Sequence, residues 1–199
     1  MISLYSIKPK FQQLLKPVLV FLYKKRVTAN MITWCAIILS AGTGTLMWVY
    51  PYGKMLLLLP LSLLLRMALN ALDGMMARTY DMQSKKGEIL NELGDVVSDF
   101  LMFFPLFKLF SLRMEILIAF LFMSLVNEYA GILGKAIVGI RQYDGPMGKS
   151  DRAFVIGFLS LVLYFTAKIT SYMDSIFIVI TILLVLSTYF RIKKTLNHK

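Results

Sequence analysis

Asn70, Asp73, Arg78, Asn91, Asp95 and Asp99 stand at helical spacing inside an apolar stretch of chain. Asn70, Asp73 and Ala77 fall at i, i+3 and i+7, and Asn91, Asp95 and Asp99 at i, i+4 and i+8. Each set defines one face of a helix. A short polar segment, residues 79–86, joins the two stretches, so the helices should run antiparallel with both polar faces at one end. Carboxylate and amide oxygens gathered this way are ligands for hard cations such as Mg²⁺, Mn²⁺ or Ca²⁺. Gly74 and Ala77 are small enough to let a ligand or another helix approach the backbone. Arg78, Lys85 and Lys86 stand where an anion would enter. Ionisable groups among membrane-type residues mark functional sites by default. Solvated helix-end charges or an ion-pair network would account for one aspartate better than for three with two asparagines. The chain has one histidine, His198, and one cysteine, Cys35. That excludes a Ser-His-Asp triad, histidine-rich metal sites, thiolate metal sites and an intrachain disulfide.

These residues must be positioned by helices. Of 199 residues, 58% are hydrophobic, and the mean hydropathy is +0.69. A bilayer core needs about 20 helical residues, and apolar runs near that length recur. We expect an all-α integral membrane domain with six spans: residues 31–50, 55–71, 90–112, 115–138, 154–167 with its flanks, and 176–190. The whole chain, residues 1–199, reads as a single membrane domain, with the bundle over 28–192. Residues 1–26 do not read as a signal peptide, because lysines are spread through them without an apolar core and cleavage site. Phe11, Leu14, Leu15, Val18, Leu19 and Leu22 alternate with those lysines at helical spacing, which predicts an amphipathic juxtamembrane helix. Pro17 would kink or divide it.

The net charge is +11, and its placement argues against a nucleic-acid partner. Cations crowd before the first expected span and after the second, fourth and sixth. Only Lys54, Lys108, Arg113 and Lys168 fall on the other side. The positive-inside rule then puts both termini in the cytoplasm, and the excess also favours anionic lipid headgroups.

The polar stretch resembles the signature of the class I CDP-alcohol phosphatidyltransferases, D-x2-D-G-x2-A-R-x8-G-x3-D-x3-D. Here it reads Asn70-x2-Asp73-Gly74-x2-Ala77-Arg78-x8-Gly87-x3-Asn91-x3-Asp95, with the spacing kept at every position. Residues 28–33, TANMIT, resemble the family's P-N-x2-T stretch through Asn30 and Thr33, with Ala29 in place of proline. The chain is similar to small enterobacterial inner-membrane members, whose signature also begins with Asn. The resemblance implies transfer of a phosphatidyl-type group from a CDP-alcohol, such as CDP-diacylglycerol, to a small polar acceptor, releasing CMP. It implies Mg²⁺ or Mn²⁺ on Asn70, Asp73, Asn91 and Asp95, with Asp95 as general base. Asn30, Thr33, Gly74, Ala77, Arg78, Ser84 and Gly87 would serve the donor. It further implies a homodimer in the inner membrane, with a cytoplasmic active site.

Two departures stand out: Asn70 and Asn91 replace the first and third aspartates, which in the family bridge both ions. Amide oxygens are neutral, weaker ligands. Asp99, Glu88 or Glu92 could be borrowed, though the two glutamates lie at other helical angles and read as helix-end charges. Lys149 and Arg152 open the fifth expected span, with Ser150 as N-cap. Together with Arg141 they either report topology or receive a phosphorylated acceptor. Glu128 could pair with Arg66. Two other readings remain: a catalytically impaired member that binds CDP-lipid, and a small transporter. The apolar outer halves of the helices count against the transporter.

Overall fold

The computed structural model describes residues 8–198. The first seven residues of the expected surface segment, and Lys199 of the C-terminal basic cluster, lie outside it. All regular structure among the described residues is helical. The helices are α1 (Lys8–Lys24), α2 (Ala29–Val49), α3 (Met55–Thr79), α4 (Lys85–Phe103), α5 (Leu106–Leu109), α6 (Met114–Val138), α7 (Lys149–Phe165) and α8 (Met173–Leu196). A 3₁₀ segment, Ala167–Tyr172, leads into α8.

Local chemistry sets the helix ends nearest the polar stretch. Thr28 accepts from the Met31 amide at 3.3 Å and starts α2. Ser84 accepts from the Gly87 amide at 3.0 Å and starts α4. Both are side-chain N-caps of the usual kind. At α7 the expected cap moves. The helix begins at Lys149, and the Gly148 amide donates to Asp151 Oδ2 at 3.1 Å, so Ser150 lies inside the first turn. Gly139, at φ 74°, ends α6 in the left-handed region that glycine adopts without strain. The expected third span, 90–112, is broken after Phe103, where Pro105 removes a backbone donor and the short α5 follows. Pro17 does not divide α1, which runs through it as one helix.

Among the described residues, four helical segments are long and apolar enough to cross a membrane: α2, α3, α6, and α8 with its 3₁₀ lead. α4 carries six charged residues in its 19, and α7 is 17 residues long with three charges in its first turn. Large apolar side chains such as Ile38, Leu61, Phe122 and Ile182 face outward on the four spans. An outer surface of this kind suits lipid rather than water.

Packing follows small residues. α2 lies against α3 and α4, α3 against α7, and α6 against α8. A Cβ on Gly44 of α2 would overlap the Leu101 carbonyl of α4, and one on Gly94 would come within 2.8 Å of Ile37 Cδ1. Close helix approach at such positions is what glycine permits in membrane bundles. The core away from the polar stretch is aromatic and aliphatic. Phe120 meets Phe103 at 5.7 Å and Phe177 at 5.1 Å between ring centroids. Leu19 of α1 is buried with Ile32, Leu72 and Met76, and Tyr23 stacks on Tyr80 at 3.6 Å. The end of α1 is thereby fastened to the turn after α3.

Gly44→Ala should lower the thermal unfolding midpoint of detergent-solubilised protein, by overpacking worth roughly 1–3 kcal/mol. Gly42→Ala, where nothing stands within 4 Å of the new Cβ, should leave the midpoint unchanged or raise it.

Candidate active site

The two polar stripes meet, as the spacing requires. Asn91 Nδ2 of α4 donates to Asp73 Oδ2 of α3 at 3.0 Å. Asn70 Nδ2 of α3 donates to Asp95 Oδ1 of α4 at 3.2 Å. Thr33 of α2 adds a hydroxyl donor to Asp73 Oδ2 at 3.0 Å. Two antiparallel helices thus hold the tetrad by crossed amide–carboxylate bonds.

The tetrad lines a cavity of about 910 Å³. Asn30, Thr33, Gly74, Ala77, Arg78, Ser84, Gly87 and Lys149 line it too. Gly74 and Gly87 mark tight places. A Cβ on Gly87 would come within 2.7 Å of Asn30 Oδ1, and one on Gly74 within 3.2 Å of the Arg78 guanidinium. Between α3 and α7 the lining turns apolar, through Leu64, Phe154, Phe158 and Leu161, all of which are exposed. The cavity therefore joins a polar chamber to the lateral face of the bundle.

Arg152 stands apart from the other expected binding residues. It is 0% exposed and forms salt bridges to Asp99 at 2.7 Å and Glu128 at 3.0 Å. Arg66 takes the other oxygen of Asp99 at 2.6 Å. Asp99 is therefore committed to two arginines and is no spare ion ligand. Glu128 pairs with Arg152 and with Arg141, at 2.9 Å, so the expected Glu128–Arg66 pair does not form. The two α4 glutamates are also engaged, Glu88 with Lys135 and Glu92 with Arg141. Burial alone would lower the pKa of Arg141, but Tyr143, Glu128, Glu92 and Asp95 outweigh it and raise it, so the guanidinium keeps its charge.

Arg191, one of the cations that follow the sixth expected span, is a lining residue that charge placement alone does not mark as part of a site. It reaches back from α8 into the cavity lining and donates to the main-chain carbonyls of Asn127 at 2.6 Å and Asp144 at 3.3 Å. No carboxylate among the described residues forms a salt bridge with it. Its position one helical turn from the small, buried Ser187 and Thr188 was the available signal. With Arg141 and Lys149 it makes one end of the cavity basic.

The donor set suits one hard cation. Asp73 Oδ1 is buried with no hydrogen-bond partner, and the adjacent amides can present carbonyl oxygens. No group of three or more Asp, Glu, His or Cys residues among the described residues could hold a metal. The ligands available are two carboxylates and two amides, all oxygen donors of the kind Mg²⁺ and Mn²⁺ prefer.

Apolar helices around a cavity lined by oxygen donors and cations are the setting of a membrane-embedded transferase. The chain belongs to the CDP-alcohol phosphatidyltransferase family, whose model matches residues 26–189. It is 47% identical over 159 residues to the inner membrane protein YnbA of Escherichia coli (strain K12), covering 80% of this chain and 79% of that one. Its fold is similar to that of the phosphatidylinositol phosphate synthase PgsA1 of Mycobacterium tuberculosis, solved with manganese and citrate. The TM-score is 0.74 at 18% identity, covering 91% of this chain and 88% of that one. The same enzyme with CDP-DAG bound also gives a TM-score of 0.74 and 18% identity, with 91% and 92% covered.

Arg152→Met would leave Asp99 and Glu128 with less cationic compensation. Breaking a buried pair costs about 3–5 kcal/mol. The variant should lose its folded peak in fluorescence-detected gel filtration at a temperature the parent survives, and adding Asp99→Asn should recover part of the loss.

Proposed function

We propose that this chain transfers a phosphatidyl-type group from a CDP-alcohol, most simply CDP-diacylglycerol, to the hydroxyl of a small polar acceptor, with release of CMP. The observation that carries this reading is the crossed tetrad in a cavity that is polar at one end and opens through an apolar lip. A diphosphate headgroup fits the first environment and acyl chains the second. That the relative PgsA1 is described with CDP-DAG and manganese supports the same reading.

Asp73 and Asn91, with Asn70 and Asp95, would hold Mg²⁺ or Mn²⁺. A bound ion would neutralise and polarise the donor diphosphate. The chain's own residues do the rest. Arg78, at the mouth, binds the diphosphate charge. Gly74, Ala77 and Gly87 leave room for the nucleotide against the backbone, beside Asn30 and Ser84. Asp95 takes the acceptor's proton as its oxygen attacks phosphorus and the CMP oxygen leaves. Catalysis then rests on positioning and on charge placed before the reaction starts.

Arg141, Lys149 and Arg191 favour an acceptor that carries a phosphate, such as glycerol 3-phosphate or inositol phosphate, over serine or choline. Arg152 supports that site from behind by fixing α7. In this reading α4 and α7 also cross the bilayer, their charged ends facing the cavity, giving six spans in a single inner-membrane domain. Both termini and the active site are cytoplasmic, α1 lies on the membrane surface, and the protein is a homodimer.

The test is CMP release from CDP-diacylglycerol in liposomes, with Mg²⁺ or Mn²⁺ and a panel of phosphorylated and unphosphorylated acceptors. Release should require both ion and acceptor. Asp95→Asn should lower kcat by about 10²–10⁴-fold, the usual share of a general base. CMP release that survives Asp95→Asn unchanged would overturn its role.

A further inference from the structure

The two carboxylates of the tetrad are held in unlike ways. Asp73 is met by neutral donors, the Thr33 hydroxyl and the Asn91 amide, both at 3.0 Å, and its Oδ1 is left over. Asp95 is met by a cation. Lys149 Nζ forms an ion pair with Asp95 Oδ1, the same oxygen that accepts from Asn70 Nδ2 at 3.2 Å.

Lys149 is placed there firmly. It is the first residue of α7, whose first turn is fixed by the Gly148–Asp151 bond and by the fully buried Arg152 three residues on. The fixed start of α7 keeps the lysine's backbone within reach of Asp95.

Charge then limits what else the site can hold. Four carboxylates would balance two divalent ions. This chain supplies two, and Lys149 neutralises one of them. A second divalent ion beside Asp95 would face an ammonium at contact range, with amides in place of the bridging carboxylates. Like charges that close repel strongly wherever water is scarce.

We infer that the tetrad holds a single divalent cation, on Asp73, and that the Lys149 ammonium fills the Asp95 side as a built-in cation in place of a second ion. The inference rests on the reading of the tetrad as an ion site, and it assigns Lys149 a place next to the reacting phosphate, within reach of both substrates.

The experiment is a Mn²⁺ titration of the full-length, EDTA-treated protein in detergent, followed by electron paramagnetic resonance without substrate. Two Mn²⁺ ions sharing ligands lie about 3.5–4 Å apart and broaden one another's spectrum. The parent should bind one Mn²⁺ per chain, with no sign of coupling, and Asp73→Asn should lose it. Asn70→Asp with Asn91→Asp should then be compared with and without Lys149→Met. The second ion should bind about tenfold or more tightly once the lysine is gone, because a like charge has been removed. Retention of the first Mn²⁺ site shows that each Lys149 variant is folded, and Lys149→Gln serves if Lys149→Met is not. Two coupled ions in the parent, no bound ion, or equal second-ion affinity with and without Lys149 would each overturn the inference. A one-ion protein that releases no CMP would overturn the proposed activity alone. Two coupled ions with CMP release would overturn this inference alone.

Discussion

Charge buried among apolar helices has to be met at contact distance by opposite charge or by hydrogen-bonding dipoles, because desolvation is otherwise uncompensated. In this chain Asp99 is where that requirement bears hardest. It lies on α4, and its two oxygens are taken by Arg66 from α3 and Arg152 from α7. Arg152 continues to Glu128 of α6, and Glu128 to Arg141 in the loop that leads to α7. Arg66 also donates to the Asp95 carbonyl at 3.1 Å. One connected set of charges therefore fixes α3, α4, α6 and α7 relative to one another. The tetrad sits one turn above it on α4 and inherits its geometry.

This arrangement separates two jobs that look alike in composition. Asp99, Glu128, Arg66 and Arg152 are joined by ion pairs that balance their charge. Asp73 keeps an unpartnered oxygen, and Arg191 is bonded to carbonyls rather than carboxylates. The company each carboxylate keeps distinguishes the tetrad from the network below it: Asp73 is met by the neutral Thr33 and Asn91, Asp99 by two arginines.

The periodicity of Asn70, Asp73, Asn91 and Asp95 was enough to place them together, because a helix carries its own register and a short connection fixes the partner. The caps Thr28 and Ser84 follow from local chemistry in the same way. What the chain did not disclose was pairing at long range. Asp99 has the same spacing as the tetrad, yet its partners are 33 and 53 positions away. Composition matches Glu128 with Arg66, whereas the bundle pairs it with Arg152 and Arg141. Arg191 looked like one more terminal cation until α8 packed against α6 and turned it inward. The break after Phe103 was legible in Pro105, but a continuous apolar run hid it.

The apolar lip formed by Leu64, Phe154, Phe158 and Leu161 has a consequence for how the chamber is supplied. On the proposed reading a lipid that arrived sideways, from within the sheet of its neighbours, would keep its acyl chains in hydrocarbon while its headgroup reached the tetrad. Its availability is set by its mole fraction in the bilayer, not by its amount in the surrounding volume. Dilution of the vesicles would leave the encounter rate untouched, while dilution of the donor among other lipids would lower it. On the proposed reading a water-soluble acceptor would obey the opposite rule, and the two supplies would meet only at the carboxylates.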